Sequence, residues 1–163
     1  MKLTLASFLG SLLFCVGAHA ADTWGGESLR GLKPFKVQLT MGACATGLTL
    51  KVVSDISRDI ELKLPIARIP FDAKANLPML AMDAECLHIT VGGRLVGYAI
   101  HMRLVLDQYL LVEETKQHLA ATTWETVDGW TCSTESCPDE MRTRAKNMTD
   151  EFINDFLKAN ENK

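Results

Sequence analysis

Residues 86–106 carry the pattern that most restricts the fold, because apolar and polar side chains alternate on both sides of Gly92-Gly93. A period of two is typical of a half-buried β-strand, and two glycines between such runs predict a two-residue hairpin turn. The opposing pairs would be Leu87 and Tyr98, Ile89 and Val96, and Cys86 and Ala99. We expect Leu87, Ile89 and Val91 to share one buried face with the apolar row that follows the turn.

The other periodicities predict an α+β fold with the element order β-α-β-β-β-β-α. The expected elements are a strand over 35–41, a helix over 48–64, an edge strand with an irregular connection over 66–80, the hairpin continuing to Val112, a strand over 119–127 and a C-terminal helix. Pro65 would end the first helix, and Pro70 and Pro78 exclude a central strand around them. We expect an antiparallel sheet of four or five strands with both helices packed on one face.

The C-terminal helix has clear boundary signals. Ser136 can cap it, Pro138 suits its first turn, and acidic residues follow at the positive end of the helix dipole. Apolar residues recur along it at helical spacing: Met141, Ala145, Met148, Phe152 and Phe156. This stripe predicts that one face of the helix is buried.

Residues 1–20 have the form of a secretory signal peptide, with Lys2 at the start, an apolar run, and Ala18-His19-Ala20 at the expected cleavage site. The mature chain would begin at Ala21. A lipoprotein signal would need a small residue before Cys15, but Phe14 stands there. A membrane-spanning helix needs about 20 apolar residues, and the apolar run of this leader is shorter. The leader therefore favours a protein released into the periplasm or secreted, with no transmembrane anchor in its mature form.

After the leader, the chain predicts a flexible glycine-rich tether over 21–33 and one α+β domain over 34–163. A chain of this length supports one core. The formal net charge of the full chain is −3, and no basic patch is evident. This composition argues against nucleic acid as a partner.

The even number of cysteines beyond the leader predicts disulfides in an exported domain. These residues are Cys44, Cys86, Cys132 and Cys137. Four cysteines allow three pairings; we favour 44–86 with 132–137, because the latter pair closes a small loop. The alternative is a zinc site, but Cys-x4-Cys lacks the tighter spacing of a zinc ribbon.

Motifs of known catalytic sites are not evident. The sequence contains no Gly-x-Ser-x-Gly elbow, no His-Glu-x-x-His pair and no phosphate-binding glycine loop. In the predicted register, His88 and His101 share a face but lie too far apart for one metal ion or one proton transfer. We therefore predict no catalytic residue, no cofactor and no metal.

The polar face of the predicted sheet is the candidate functional surface. Residues that would lie on it include His88, Thr90, His101, Arg103 and Asp107. A sheet face without helices can bind a ligand, a partner protein or a second copy of the chain, and it can equally be only solvated.

The last third of the chain resembles a group of small exported bacterial proteins that have no assigned activity. The residues that carry the resemblance are Thr123-Trp124 in a strand and Phe152-Ile153-Asn154-Asp155-Phe156-Leu157 in the following helix. The resemblance implies an exported α+β domain and adds no site. The Cys132/Cys137 loop departs from the pattern of that group.

Together these features predict a non-enzymatic periplasmic or secreted binding module, or an envelope-assembly module, whose partner is an envelope or secreted protein. One alternative is a small exported hydrolase with a site built from His101, Arg103 and Asp107. Another is an inhibitor or immunity protein. The oligomeric state is not indicated by the sequence.

Overall fold

A computed structural model describes residues 25–41 and 50–161, which form three helices and one four-stranded sheet. In chain order the elements are α1 (Gly25–Ser28), β1 (Lys36–Met41), α2 (Leu50–Ile66), β2 (Met79–Val91), β3 (Arg94–Val112), β4 (Gln117–Ser133) and α3 (Cys137–Asn160). None of the helices in this described part is long and apolar enough to cross a membrane.

The strands lie in the order β1-β2-β3-β4, with β1 parallel to β2 and the other two pairs antiparallel. The α+β class is confirmed, but the prediction of a wholly antiparallel sheet is wrong for β1 and β2. A helical connection between two strands lets them run in the same direction, and α2 lies in this connection. The extra edge strand predicted within 66–80 is replaced by a single bridge between Phe35 and Phe71, because Pro70 and Pro78 offer no backbone N–H to a ladder.

Gly92 and Gly93 form the predicted turn, both with positive φ angles, +58° and +79°. Val91 pairs with Arg94 on either side of this turn. The predicted register is wrong beyond Thr90, because a β-bulge at Val96 inserts one residue into β3. The pairs farther from the turn are Ile89 with Gly97, His88 with Tyr98, Leu87 with Ala99, and Cys86 with Ile100.

The bulge decides which side chains of β2 are buried. Even-numbered residues of β2 and β3 form a core face, whose fully buried members include Leu80, Met82, Met102 and Leu104. Odd-numbered residues of both strands point to the opposite side, which we call the outer face. Leu87, Ile89 and Val91 lie there and are exposed, contrary to the sequence prediction.

The centre of the core joins the sheet to α3 through three aromatic rings. Phe152 lies edge-on to Phe35, with ring centroids 5.7 Å apart, and to Trp124, at 5.1 Å. The indole N–H of Trp124 donates a hydrogen bond to Asp155 at 2.9 Å. The predicted stripe of α3 is confirmed at Met141, Ala145, Met148 and Phe152, all of which are buried. Helix α3 is thus anchored along β4.

The start of α3 is held by the Cys132–Cys137 disulfide, as predicted, with Cα atoms 5.0 Å apart. Ser136 stands at the N-cap and Pro138 in the first turn, as predicted, but the Ser136 side chain makes no capping bond; its hydroxyl lies 3.0 Å from the hydroxyl of Ser133 instead. Cys86 is also disulfide-bonded. Its predicted partner, Cys44, lies outside the described residues, as do the predicted signal peptide and its cleavage site.

Part of the predicted tether packs on the domain. Leu29 and Leu32 are buried in the core cluster. The side-chain amide of Asn160 donates to the carbonyl oxygen of Leu29 at 3.1 Å, and its oxygen accepts from the backbone N–H of Gly31 at 3.2 Å. Residues 29–32 are therefore held by apolar burial and by the end of α3, and they do not extend away as a flexible segment.

Candidate functional site

The five residues predicted to share a binding face are divided between two sides of the sheet. His101, Arg103 and Asp107 lie on the outer face of β3. His88 and Thr90 lie on the other side of β2, where the ring of His88 meets the buried Tyr98 at 5.5 Å. The bulge at Val96 causes this division, because a shift of one residue changes the face of every side chain beyond it.

Arg103 is the centre of a charged group that spans three strands. Its guanidinium lies 3.8 Å from the Asp83 carboxylate on β2 and 3.7 Å from the Glu125 carboxylate on β4. All three side chains remain about two-fifths exposed. Exposed pairs of this kind contribute about 0–1 kcal/mol to stability. The group is therefore accessible to a charged partner, and its ion pairs contribute little to the stability of the fold.

Asp107 stands at the edge of this group, beside a second irregularity in the ladder. It pairs with Thr122, whose hydroxyl donates to its carboxylate at 2.7 Å. The register shifts here, so Thr123 has no partner residue in the β3–β4 ladder. Its hydroxyl donates to the carbonyl oxygen of Leu106 at 3.2 Å. The Gln108 amide donates to the Thr123 hydroxyl at 2.7 Å and to the carbonyl oxygen of Ser28 at 3.0 Å. These bonds tie α1 to the sheet.

His101 does not join these groups into a catalytic arrangement. It stands opposite Glu85 in the ladder, and in the described part of the chain no hydrogen bond or ion pair links it to a carboxylate. Six residues of strand, or about 20 Å, separate it from Asp107. Acid–base chemistry needs partners within hydrogen-bond reach. These side chains can recognise a charged partner, but His101, Arg103 and Asp107 do not form a proton relay.

A set of exposed apolar side chains, missed from the sequence, flanks the charged group on the outer face. Near the β2–β3 turn they include Leu87 and Val91, which are 74% and 66% exposed. At the other end of the sheet they include Tyr109 and Leu111 of β3, and Val127 of β4 is exposed beside Arg103. The unbroken apolar run from Tyr109 to Val112 could have predicted this exposure. Successive residues of a strand point to opposite faces, so they cannot all face one core.

Beyond Asp107, β3 and β4 extend as a two-stranded arm. Residues 108–112 of β3 pair with residues 117–121 of β4, whereas the ladder with β2 ends at the Met79–Asp107 pair. Leu110 and Leu119 stand opposite each other on the side of the arm that continues the core face, and both are exposed. The arm therefore carries exposed apolar residues on both of its sides.

A separate polar cluster joins α2 to α3. Arg142 Nε donates to Asp59 Oδ2 at 2.7 Å, and Lys63 pairs with Asp150. The hydrogen bond from Arg142 lowers the pKa of the Asp59 carboxyl, and it raises the pKa of the Arg142 guanidinium.

Within residues 25–41 and 50–161, no group of three His, Cys, Asp or Glu side chains is placed to hold a metal ion.

No protein-family model matches the chain, and no curated protein matches it. Among solved structures, it is similar to the rare lipoprotein B of Shewanella oneidensis, with 14% identity, 76% of this chain and 92% of that chain covered, and a TM-score of 0.33. It is also similar to a minor lipoprotein of Acinetobacter baumannii, with 8% identity, 76% and 91% covered, and a TM-score of 0.32. Likeness at this level carries no information about function.

Proposed function

We propose that the chain is an exported, non-enzymatic binding module whose outer sheet face binds an envelope or secreted protein. The leader over 1–20 supports export to the periplasm or beyond. The oxidised state of Cys86, Cys132 and Cys137 supports an oxidising compartment, because cytosolic thiols are kept reduced.

The observation that carries the proposal is the exposure of large apolar side chains on the outer face. Single exposed apolar residues are ordinary, but a set of them on one face is typical of an interaction surface. Fully burying one such side chain contributes about 1.5–3 kcal/mol. Leu87, Val91 and Val127 together could therefore supply the apolar part of a specific interface.

The charges of the outer face specify the chemistry of the partner. Its central band holds four carboxylates, Asp83, Glu85, Asp107 and Glu125, against two cations, Arg103 and the Lys36 of β1 that shares a row with Asp107. Complementary potentials orient partners and exclude wrong ones. The partner proposed here is a protein surface with basic residues at its centre and apolar residues on either side.

Site-specific photocrosslinking in the producing cells tests this function. A photoreactive phenylalanine at Val91 reports on the outer face, and the same group at Leu157 of α3, which is 43% exposed, is the matched control. We expect one discrete adduct from position 91, with an exported protein that has a basic surface, and none from position 157. Equal adducts at both positions, or none at position 91, would contradict the proposal.

The identity of the adduct also separates the alternatives. A single exported enzyme trapped at position 91 would favour the inhibitor or immunity interpretation, whereas a structural envelope protein would favour an assembly module. The mass of the exported chain tests the leader: we expect an N-terminus at Ala21. A lipid-sized mass increase with cleavage before Cys15 would instead establish a lipoprotein.

A further inference from the structure

A crevice of about 280 Å³ lies between α2 and α3, away from the outer face. Its floor is apolar, formed by Ile56, Ile60 and Ala145, each at most 2% exposed. The crevice is about twice the volume of an engineered cavity that accepts one benzene molecule. It can therefore hold a single short alkyl chain, but not two.

The rim of the crevice is predominantly cationic. The lining includes Lys63, Arg142 and Lys146 but one carboxylate, Asp59. Arg142 is engaged by Asp59 and Lys63 by Asp150. Within the described residues, no ion pair or hydrogen bond engages the ammonium group of Lys146, one turn from Arg142 on α3. Because Asp59 and Asp150 neutralise Arg142 and Lys63, the positive charge in excess at this rim is that of Lys146.

The apolar lining continues out of the crevice along α2. Leu62 lines the crevice and is 59% exposed, and Ile66, one helical turn later, is 82% exposed. Residues four apart lie on the same side of a helix. These two side chains extend the apolar floor beyond the cationic rim.

We propose that this crevice binds the alkyl chain of a single-chain amphiphile with one anionic head group. The apolar floor gives a free inorganic anion little to bind, and the rim repels a cationic head. Lys146 contacts the head group, and Leu62 contacts the chain. This binding is independent of the proposed partner on the outer face.

Decanoate, below the concentration at which it forms micelles, is the probe. Its titration is followed by heteronuclear NMR of the full mature chain, and decanol, decyltrimethylammonium and acetate are the comparison ligands. We expect saturable shifts at the lining residues of α2 and α3 with decanoate, binding about tenfold weaker with decyltrimethylammonium, and none with acetate. Decanol should bind with intermediate strength.

Two exposed substitutions test the roles of head and chain, each with a matched control on α3. Lys146→Glu should weaken decanoate binding about tenfold, whereas Lys158→Glu should leave it within about twofold. Leu62→Gln should weaken it about threefold, whereas Leu157→Gln should not. Because all four side chains are exposed, the unfolding midpoints should stay near that of the parent.

Several outcomes would overturn this site. Equal affinity for decanoate and decyltrimethylammonium would remove the role of the cationic rim. Shifts centred on the outer face or the β3–β4 arm would place the ligand elsewhere. Concentration-dependent shifts of the same α2 and α3 signals without ligand would show that a second copy of the chain occupies the crevice.

Discussion

The two faces of the sheet are built from the same strands and the same kinds of residue, yet they have opposite relations to solvent. Leu104 on the core face of β3 is fully buried, and Leu87 on the outer face of β2 is 74% exposed. Both are leucines in an alternating apolar pattern. The difference shows that residue type alone does not assign a face: the register does, and here one bulge sets it.

The comparison also separates stability from binding. The core face packs Met82, Met102 and Leu104 into the same cluster as the aromatic centre around Phe152. The outer face holds long ion pairs and exposed aliphatic side chains, which contribute little to folding. We expect substitutions on the core face to change the free energy of unfolding, and those of exposed residues on the outer face to change partner binding. Ala81 and Val105 lie on the outer face but are buried, so their substitution should also change the free energy of unfolding.

The largest expected effect comes from the same truncation on the two faces. Leu104→Ala should lower the free energy of unfolding by about 2–5 kcal/mol, because it leaves a cavity in the core. Leu87→Ala should change it by less than about 0.5 kcal/mol. Urea denaturation measures both values. A similar loss for the two variants would remove the distinction between the faces.

Two glycines test how closely β3 and β4 approach each other near the bulge. A Cβ at Gly97, next to the bulge, would collide with the carbonyl oxygen of Cys132, whereas one at Gly129 would meet its nearest neighbour, the Ile100 oxygen, at an ordinary 3.7 Å. Gly97→Ala should therefore cost about 1–3 kcal/mol. Gly129→Ala should be neutral or slightly stabilising. The reverse order would show that β4 does not approach β3 closely at the bulge.

The disulfide at the end of β4 gives the next contrast. Replacing Cys132 and Cys137 together by alanine should lower the free energy of unfolding by about 2 kcal/mol, the entropy expected for so small a loop. Thr131, the outer-face neighbour of Cys132, is exposed, so Thr131→Ala should stay within about 0.5 kcal/mol. Thermal unfolding compares the two. A double variant as stable as the parent would mean that α3 is held by packing alone.

The smallest effect concerns the helix layer and depends on pH. Because Arg142 lowers the pKa of Asp59 in the folded chain, this carboxylate stabilises the fold above about pH 4 and loses that contribution as the pH falls through its folded pKa. Arg142→Ala should raise the pKa of Asp59 toward its ordinary value, measured by NMR of the carboxyl carbon. Arg58→Ala is the control and should raise it less. An unchanged value in Arg142→Ala would contradict the pairing.

Much of the fold could be predicted from local patterns. The stripe on α3, the Gly92-Gly93 turn and the Cys132–Cys137 loop depend on residues close in sequence, and all three are confirmed. The bulge at Val96 has a weaker local signal, the isolated Gly97 inside the strand pattern, because Val96 itself continues the apolar alternation. It lies where β4 approaches Gly97 closely, and that approach is a tertiary contact.

The candidate site was predicted less well for the same reason. His101, Arg103 and Asp107 were correctly placed on one face, but His88 and Thr90 were assigned to it through the wrong register. The partners of Arg103, Asp83 and Glu125, lie on two other strands and could be identified only once the strand order was known.

The most direct test of the outer face as a binding surface is the yield of the photocrosslinked adduct from position 91 when Leu87→Lys is added. A buried hot-spot residue contributes at least about 1–2 kcal/mol to binding. A positive charge there removes an apolar contact and repels the basic partner, so it should reduce the adduct about tenfold while the free energy of unfolding stays unchanged. An undiminished adduct in a stably folded Leu87→Lys variant would contradict the assignment of this face to partner binding.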